Sequence, residues 1–274
     1  MLCQLRLDFI DFELNQPSNG NCESDQFVVT GQNANSIVPA LCGFNSGQHL
    51  YVDIENTFGP YVLRTITRGD GVRLWNIRVS LIECTNPSRA PENCLQYFTG
   101  PNGVFSSFNY VDTNQMEALA KLSPNQNMFA FTYLNNLNYA ICFRKEAAFC
   151  TQTYSASSSS SPFAIINVAP NGSALFDIST AGAGVLKCQF DFLLLSGIRF
   201  CGTHLNPFGI NQEPVVDLPI TDSNSGPFIA RFTSDRVVPA RGFKLHFQQN
   251  PCTNSIENPV ITFSFGAYRV PQNN

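Results

Sequence analysis

The stretch Cys188-Gln-Phe-Asp191-Phe-Leu-Leu, followed by Cys201-Gly202, is the most informative part of this 274-residue sequence. A similar arrangement occurs earlier, where Cys22-Glu-Ser-Asp25-Gln-Phe-Val is followed by Cys42-Gly43. In both places a cysteine lies three residues before an aspartate, an apolar run follows, and a Cys-Gly pair closes the segment. The sequence therefore predicts one structural unit that occurs twice.

The overall composition is that of a globular, β-rich chain. Charged residues make up 13% of the sequence and aromatic residues 12%, and phenylalanine alone contributes 24 residues. Many aromatic and few charged side chains are expected where strands pack on a buried interior. The formal net charge is −4, and Lys and Arg are scattered along the chain. Because phosphate binding depends on clustered positive charge, the sequence argues against a nucleic-acid partner.

The ten cysteines are best explained as disulfides. Their number is even, and the sequence contains no Cys-x-x-Cys or His-x-x-x-His pattern of the kind that binds zinc. Disulfides persist in oxidising compartments, so we expect a secreted, extracellular protein. The sequon at Asn171 is a candidate glycosylation site and agrees with that location. No apolar run approaches the ~20 residues that a membrane-spanning helix needs, so we expect no membrane span.

The first residues have the pattern of a strand inside a domain rather than that of an export signal. Met1-Leu2-Cys3 leads directly into Gln-Leu-Arg-Leu-Asp-Phe, in which apolar and polar residues alternate. We therefore expect an upstream portion that was removed or that this sequence does not include. The alternative is a protein that resides in the cytosol.

Short alternating stretches separated by Gly, Pro, Asn and Ser recur along the chain. Alternation with a period of two predicts strands, and many short strands favour packed antiparallel sheets. The segment from Cys84 to Cys94 contains two prolines, which is typical of a domain boundary. We therefore divide the chain into a first domain, residues 1–87, a second domain, residues 88–252, and a C-terminal extension, residues 253–274.

Three further segments have local patterns of their own. Residues 114–121 are the best candidate for a helix, of about two turns. Residues 157–161 are five serines, a composition typical of a hairpin tip. Within the extension, residues 259–270 (Pro-Val-Ile-Thr-Phe-Ser-Phe-Gly-Ala-Tyr-Arg-Val) alternate strongly. We expect there an extra strand that covers a sheet edge or is presented to a neighbour.

The cysteine and aspartate pattern resembles that of the CUB domain, an extracellular β-sandwich used for binding. In the second half it rests on Cys94-Leu-Gln-Tyr-Phe-Thr-Gly100, Tyr139-Ala-Ile-Cys142, Cys188 through Gly202, Ser234-Asp235 and Gly242-Phe-Lys-Leu-His-Phe247. In the first half, Cys22 through Gly43 and Trp75-Asn-Ile-Arg-Val79 resemble later parts of the domain, whereas its opening strands are missing. The chain looks most like the tandem CUB-type secreted proteins of arthropods. The resemblance implies an all-β fold of two tandem CUB-like jelly-roll β-sandwiches with little helix, the first incomplete and the second with insertions.

The resemblance also implies three disulfides, Cys22–Cys42, Cys94–Cys142 and Cys188–Cys201. Of the other four cysteines, Cys84 and Cys252 each follow a closing strand and are equivalent in the repeat. This favours Cys3–Cys84 and Cys150–Cys252. The alternative is that Cys3 bonds to an absent upstream piece.

Calcium is the one metal that the resemblance raises. Calcium-binding CUB domains hold one ion with a Glu, the Asp of Cys-x-x-Asp and a later Asp, because this cation prefers several oxygen ligands. The Glu position is altered to Asn15 in the first half and to Ser179 in the second. The remaining candidate ligands are Asp25 and Asp70 in the first half, and Asp191 and Asp235 in the second. The competing interpretation is that Asp25 and Asp191 brace loops through hydrogen bonds to backbone amides.

No catalytic site is predicted. The sequence has no Gly-x-Ser-x-Gly or His-Glu-x-x-His motif, and we expect His246, on a predicted strand, to have an ordinary surface or edge role. We therefore expect a non-enzymatic adhesion or recognition protein that binds an extracellular protein or glycan through loops near Asp25, Asp70, Asp191 and Asp235. One alternative is a structural protein that self-associates through open sheet edges. Another is the non-catalytic CUB region of a larger secreted protease.

Overall fold

The computed structural model describes residues 1–112, 115, 131–156, 162–169, 173, 181–206 and 217–252. This part of the chain contains sixteen β-strands, which confirms the all-β prediction. Four predicted features lie outside the described residues: the helix at 114–121 apart from Gln115, the serines at 157–161, the sequon Asn171 and the extension 253–274. Among the described residues, no helix is long and apolar enough to cross a membrane.

The first five strands form two small sheets. They are β1 (Leu2–Glu13), β2 (Gln26–Thr30), β3 (His49–Asp53), β4 (Val62–Ile66) and β5 (Leu74–Glu83). One sheet has the order β3-β1-β5 and the other pairs β2 with β4, all antiparallel.

The central strand β1 needs a bulge to bury its aromatic residues. Phe9 and Phe12 are three residues apart, so simple alternation would direct their side chains to opposite faces. The register against β5 shifts between Phe9 and Asp11, which adds one residue on the β1 side. Both rings are consequently buried, and both contact the ring of Phe27 on β2 at centroid distances of 5.7 and 5.6 Å.

The remaining eleven strands form two larger sheets. They are β6 (Cys94–Phe98), β7 (Asn102–Ser106), β8 (Asn138–Phe143), β9 (Phe149–Ala156), β10 (Phe163–Ala164), β11 (Ala181–Ala183), β12 (Phe192–Leu195), β13 (Ile198–Gly202), β14 (Ile220–Asp222), β15 (Phe228–Thr233) and β16 (Gly242–Pro251). One sheet has the order β11-β13-β12-β15-β8-β6, and the other has the order β10-β16-β9-β14 with β7 also paired to β16. All of these pairs are antiparallel except β6 with β8.

The largest hydrophobic core runs through both sets of strands. It includes Phe9 and Phe27 from the first set and Phe105, Phe232 and Phe243 from the second. Strand pairing, by contrast, stays within residues 2–83 or within residues 94–251 for every pair of named strands. No named strands pair across residues 87 and 88, but the hydrophobic core includes residues from both sides of them. The domain boundary there therefore stays a prediction.

The structure joins all ten cysteines in five disulfides, which are the pairs favoured above: Cys3–Cys84, Cys22–Cys42, Cys94–Cys142, Cys150–Cys252 and Cys188–Cys201. Cys3–Cys84 and Cys150–Cys252 each close a loop of more than 80 residues. A disulfide that closes so long a loop lowers the conformational entropy of the unfolded state. Each such disulfide typically stabilises the folded state by about 2–4 kcal/mol.

The segment between the two sets of strands is held by hydrogen bonds. The side chain of Gln4 donates to the carbonyl of Ala90 at 2.9 Å and accepts from its amide at 2.9 Å. The buried ring of His49 contacts the backbone of Tyr97 on β6, with its Nε2 2.9 Å from the carbonyl oxygen and 3.1 Å from the amide nitrogen. These contacts, together with the shared core, fix the two sets of strands against each other.

Candidate functional site

Asp25, the first predicted calcium ligand, is buried and held by an arginine. Arg73 donates from Nε to Oδ2 at 2.6 Å and from Nη2 to Oδ1 at 3.0 Å. The backbone amides of Asn15 and Arg68 donate to the same carboxylate at 2.9 and 3.1 Å. Burial by itself would raise the pKa of Asp25, but the bonds from Arg73 and the two amides outweigh it and lower this pKa.

The loop that connects β4 to β5 supplies the groups around Asp25. It carries Arg68, Asp70 and Arg73, and the side chain of Asn15 donates to the carbonyl of Asp70 at 3.3 Å. The structure thus brings the three candidate ligands Asn15, Asp25 and Asp70 together. Asp70 takes part through its backbone carbonyl and not through its carboxylate. A calcium ion bound to Asp25 would have to displace the Arg73 guanidinium. Calcium at this position stays a prediction.

Sequence reasoning missed Arg73. It lies 48 positions after its partner, immediately before β5, in the loop that also contains Arg68 and Asp70. A signal was present, because the calcium resemblance left Asp25 without its Glu partner. A buried carboxylate without a metal is stabilised by a positive group or by hydrogen bonds, and the arginines of this loop were available to supply the positive group.

Asp191 is the equivalent aspartate of the second half, and no described basic side chain bonds to it. The hydroxyl of Tyr133 donates to Oδ2 at 2.6 Å, and the backbone amide of Asp235 donates to Oδ1 at 2.6 Å. Asp191 is only 2% exposed, and this burial raises its pKa to about 7. Two hydrogen bonds offset part of the cost of burying this carboxylate, and no basic side chain among the described residues supplies a counter-charge.

The structure also places Asp235 beside Asp191. The side chain of Asp235 accepts a hydrogen bond from the amide of Val237 at 2.8 Å. Ser179, the altered Glu position, lies outside the described residues. Nowhere in the described part of the chain do three His, Cys, Asp or Glu side chains form a group that could hold a metal ion. Calcium at Asp191 and Asp235 stays a prediction as well.

The three histidines lie in different environments. His49 is buried, and this burial, with a further contribution from Arg6, lowers its pKa to about 4. His204 lies 3.6 Å from a carboxylate oxygen of Asp217, and His246 is an exposed residue of β16. His49 is therefore neutral at physiological pH and serves as a structural contact to Tyr97.

A polar groove lies where the two sets of strands meet. It consists of two adjoining cavities of ≈ 200 and ≈ 270 Å³, which share Asn35, Asp53 and Asn93 as lining residues. The rest of the lining is Asn33, Ser36, Ile37, Tyr51, Glu55, Asn56, Arg89, Glu92, Cys94, Leu95, Asn138, Tyr139, Ala140 and Arg231. These residues come from segments that are far apart in the sequence, so no local motif could have shown the groove.

Hydrogen bonds hold the walls of this groove in place. Asp53 accepts from the side chain of Gln4 at 2.7 Å and from the amide of Asn93 at 3.2 Å. Arg89 forms a salt bridge to Glu55 at 2.6 Å. Arg231 donates to the side chain of Asn138 at 3.0 Å. The groove thus presents amide, carboxylate and guanidinium groups whose positions are held by these bonds.

These observations define the class of protein as a disulfide-linked β-sandwich protein with a polar groove. The animal CUB domain model matches residues 91–250, more than half of the chain. The chain therefore belongs to the CUB family, whose domains are generally extracellular protein-interaction modules.

Two solved structures are similar to the chain at low identity. The CUB1-EGF-CUB2 domain of human MASP-1/3 has 14% identity and a TM-score of 0.32, covering 90% of this chain and 89% of that one. The CUB1-EGF-CUB2 domains of rat MASP-1 have 13% identity and a TM-score of 0.29, covering 90% and 87%. No curated protein sequence matches the chain.

Proposed function

We propose that this chain is a secreted, non-enzymatic recognition protein that binds an extracellular protein or glycan in the polar groove between its two sets of strands. The observation that carries the proposal is the groove itself. Its walls belong to both sets of strands, and a common core holds them at a fixed spacing. A preformed site of this kind avoids part of the ordering cost of binding.

The chemistry of the groove suits a polar ligand. Asparagine amides donate and accept hydrogen bonds, Asp53 accepts them, and Arg231 carries a positive charge at the exposed wall. Ser36 and Asn138 add further hydroxyl and amide groups to the lining. Protein loops and sugar hydroxyls both present groups that match this set.

Two further observations support secretion and a non-enzymatic role. The five disulfides and membership of the CUB family fit an oxidising, extracellular location. Burial raises the pKa of Asp191 to about 7 and lowers that of His49 to about 4. Both side chains are buried and bonded within the protein, and neither lines the groove. A general acid or base would have to be accessible to a substrate.

The test compares ligand capture by the wild-type chain and by a groove variant. The immobilised protein is exposed to native extracellular fluid and to a glycan array, and the captured ligand is then titrated by biolayer interferometry. We expect Arg231→Ala to weaken binding roughly tenfold or more, because arginines in binding sites contribute strongly. Arg64→Ala removes an exposed arginine of β4 outside the groove and serves as the control.

Two results would overturn this proposal. If Arg231→Ala binds the captured ligand as tightly as the control, the ligand lies elsewhere on the surface. If neither fluid nor array yields a ligand that the wild-type chain retains, the recognition function itself is wrong.

A further inference from the structure

The two cavities of the polar groove follow one another along the direction of β3. Tyr51 lines the first cavity, of ≈ 200 Å³, Asp53 lines both, and Glu55 lines the second, of ≈ 270 Å³. The segment before β3 runs the opposite way, since Ile37 lines the first cavity and Asn33 the second. The amide of Asn33 donates to the carbonyl of Asp53 at 2.8 Å and holds this segment in place. A ligand that fills both cavities is therefore extended along β3.

The second cavity carries an excess of negative charge. Three carboxylates and one guanidinium line it, those of Asp53, Glu55, Glu92 and Arg89. Arg89 lies between two of these carboxylates, 2.6 Å from Glu55 and 3.7 Å from Glu92. The side chain of Glu92 is 73% exposed, so its carboxylate is open to a ligand. A positively charged group that enters this cavity is attracted to it.

The centre and the opposite end of the groove also have unused binding capacity. Asp53 accepts its hydrogen bonds from two neutral donors, the side chain of Gln4 and the amide of Asn93. A carboxylate has about four acceptor positions, so Asp53 can accept further bonds. In the first cavity, Arg231 donates to the neutral side chain of Asn138 and forms no salt bridge to a described carboxylate. The groove therefore has a positive end in its first cavity and a negative end in its second.

An apolar side chain stands beside the negative end. Phe58 lies two residues after Asn56, which lines the second cavity, and the Phe58 side chain is fully exposed. The turn that carries it is held by hydrogen bonds. The amide of Thr57 donates to the carbonyl of Ile54 at 3.2 Å, and the hydroxyl of Tyr61 donates to the carbonyl of Thr57 at 3.2 Å. A fixed turn thus presents an aromatic ring, which contributes strongly to binding when a partner buries it.

The second set of strands contains a counterpart of this turn. Strand β14 pairs with β9 as β3 pairs with β1, and residues 223–227 then connect β14 to β15 as residues 54–61 connect β3 to β4. Residues 223–227 are all exposed, although β6, β7 and β8 are present in that set. The exposure of the Phe58 turn therefore does not depend on strands that the first set lacks. The counterpart reads Ser-Asn-Ser-Gly-Pro, so only the turn beside the groove carries an aromatic ring.

This combination favours a protein segment over a glycan. The negative cavity attracts a Lys or Arg side chain, and the exposed ring beside it packs against an apolar group. Sugars present mainly hydroxyls, and charged sugars are mostly acidic, so they match only the positive end of the groove. An extended stretch of protein supplies acidic, basic and apolar side chains at a spacing of about 3.3 Å per residue.

Resting on the proposed function, which places the ligand in this groove, we propose that the ligand is an extended segment of another protein with opposite charges at its two ends. An acidic side chain pairs with Arg231 in the first cavity, and a basic side chain lies beside Asp53 and Glu92 in the second. An apolar group next to the basic side chain packs on Phe58. The order of charges along the groove fixes the direction in which a given segment binds.

The test selects peptides from a random phage-displayed library on the full-length protein. Arg231→Gln, Glu92→Gln and Phe58→Ala each remove one of the three contacts. Glu23→Gln and Leu186→Ala remove an exposed carboxylate and an exposed apolar side chain outside the groove, and they are the matched controls. The selected peptides are synthesised and titrated against all of these proteins at low and at high salt.

We expect the selected peptides to share an acidic and a basic position a few residues apart, with an apolar residue beside the basic one. Phe58→Ala should weaken their binding roughly tenfold or more, and Glu92→Gln roughly tenfold, whereas both controls bind as the wild type does. High salt should weaken binding to the wild type. When the basic residue of the peptide is replaced by alanine, Glu92→Gln should have no further effect, which shows that the two groups are in contact.

Several outcomes would overturn this inference. They are an empty selection, peptides without a shared charge pattern, and peptides that bind the Glu92 and Phe58 variants as tightly as the controls. If a glycan from the array binds and depends on Arg231 but on neither Glu92 nor Phe58, the proposed function stands and the protein segment is wrong. If neither a peptide nor a glycan depends on Arg231, the proposed function and this inference are both wrong.

Discussion

At the residue scale, the two equivalent aspartates Asp25 and Asp191 have different hydrogen-bond partners. Asp25 pairs with the Arg73 guanidinium, and the resulting hydrogen bonds lower its pKa despite its burial. Asp191 accepts from Tyr133 and from a backbone amide, and its burial raises its pKa. The two carboxylates therefore affect stability in opposite directions as the pH changes. Asp25 contributes stability above its unfolded pKa and loses that contribution as the pH falls.

The raised pKa of Asp191 leads to the first prediction. A folded-state pKa of about 7, well above the ordinary value of an aspartate, gives stability that is fully present below the unfolded pKa and is lost as the pH rises through about 7. We expect the free energy of unfolding of the wild type, relative to that of Asp191→Asn, to fall by about 2 kcal/mol between pH 5 and pH 8. Urea unfolding of both proteins across this range measures the difference.

The control for this prediction is Asp11→Asn, which removes a partly exposed carboxylate from β1. Its free energy of unfolding is compared with that of the wild type at the same pH values. If the difference between Asp191→Asn and the wild type does not change with pH, the buried carboxylate does not titrate as described.

At the element scale, the pairing of β7 with β16 depends on a glycine. Gly103 lies directly opposite Phe247, whose buried ring packs over it and contacts Phe143 at a centroid distance of 4.7 Å. A Cβ atom added at Gly103 would lie 2.6 Å from the nearest atom of the Phe247 ring. Because that ring is held by an aromatic cluster, it has little room to move.

We therefore predict that Gly103→Ala destabilises the protein by about 1–3 kcal/mol, the usual cost of overpacking a core. The loss should appear as a lower midpoint in denaturant unfolding. Gly226→Ala is the matched control, because a Cβ atom there meets no other atom within 4 Å. A midpoint for Gly103→Ala equal to that of Gly226→Ala would show that β7 can shift away from the ring.

At the scale of the whole molecule, the shared core links the two sets of strands. Asn45 is buried at their contact, where its side-chain oxygen accepts from the amide of Asn109 at 2.9 Å and its side-chain nitrogen donates to the carbonyl of Cys42 at 3.0 Å. Gln48 adds a bond to the carbonyl of Ser107 at 3.0 Å. Because both sets of strands share one hydrophobic core and these buried hydrogen bonds, we expect them to unfold as one cooperative unit.

We predict a single calorimetric unfolding transition for the oxidised wild-type chain, with equal calorimetric and van't Hoff enthalpies. Asn45→Ala should lower the free energy of unfolding by about 1–3 kcal/mol and keep one transition, because it leaves a buried amide of Asn109 unpaired. Asn224→Ala, in an exposed turn, is the control. Two separate transitions in the wild type would mean that the two sets of strands fold independently.

The amino-acid sequence by itself determined the all-β class and the repeated unit. Both follow from local information, since alternation with a period of two produces strands and a repeated Cys-x-x-Asp pattern needs no knowledge of distant contacts. The resemblance to CUB domains implied three of the five disulfides that the structure joins, and the equivalence of Cys84 and Cys252 in the repeat favoured the other two.

Only the tertiary structure decided which groups surround Asp25 and where the groove lies. Arg73 meets Asp25 across 48 positions, and the groove unites residues from Asn33 to Arg231. Charge compensation, cavity shape and burial are properties of atoms brought together by the fold, so they cannot be determined from short-range patterns.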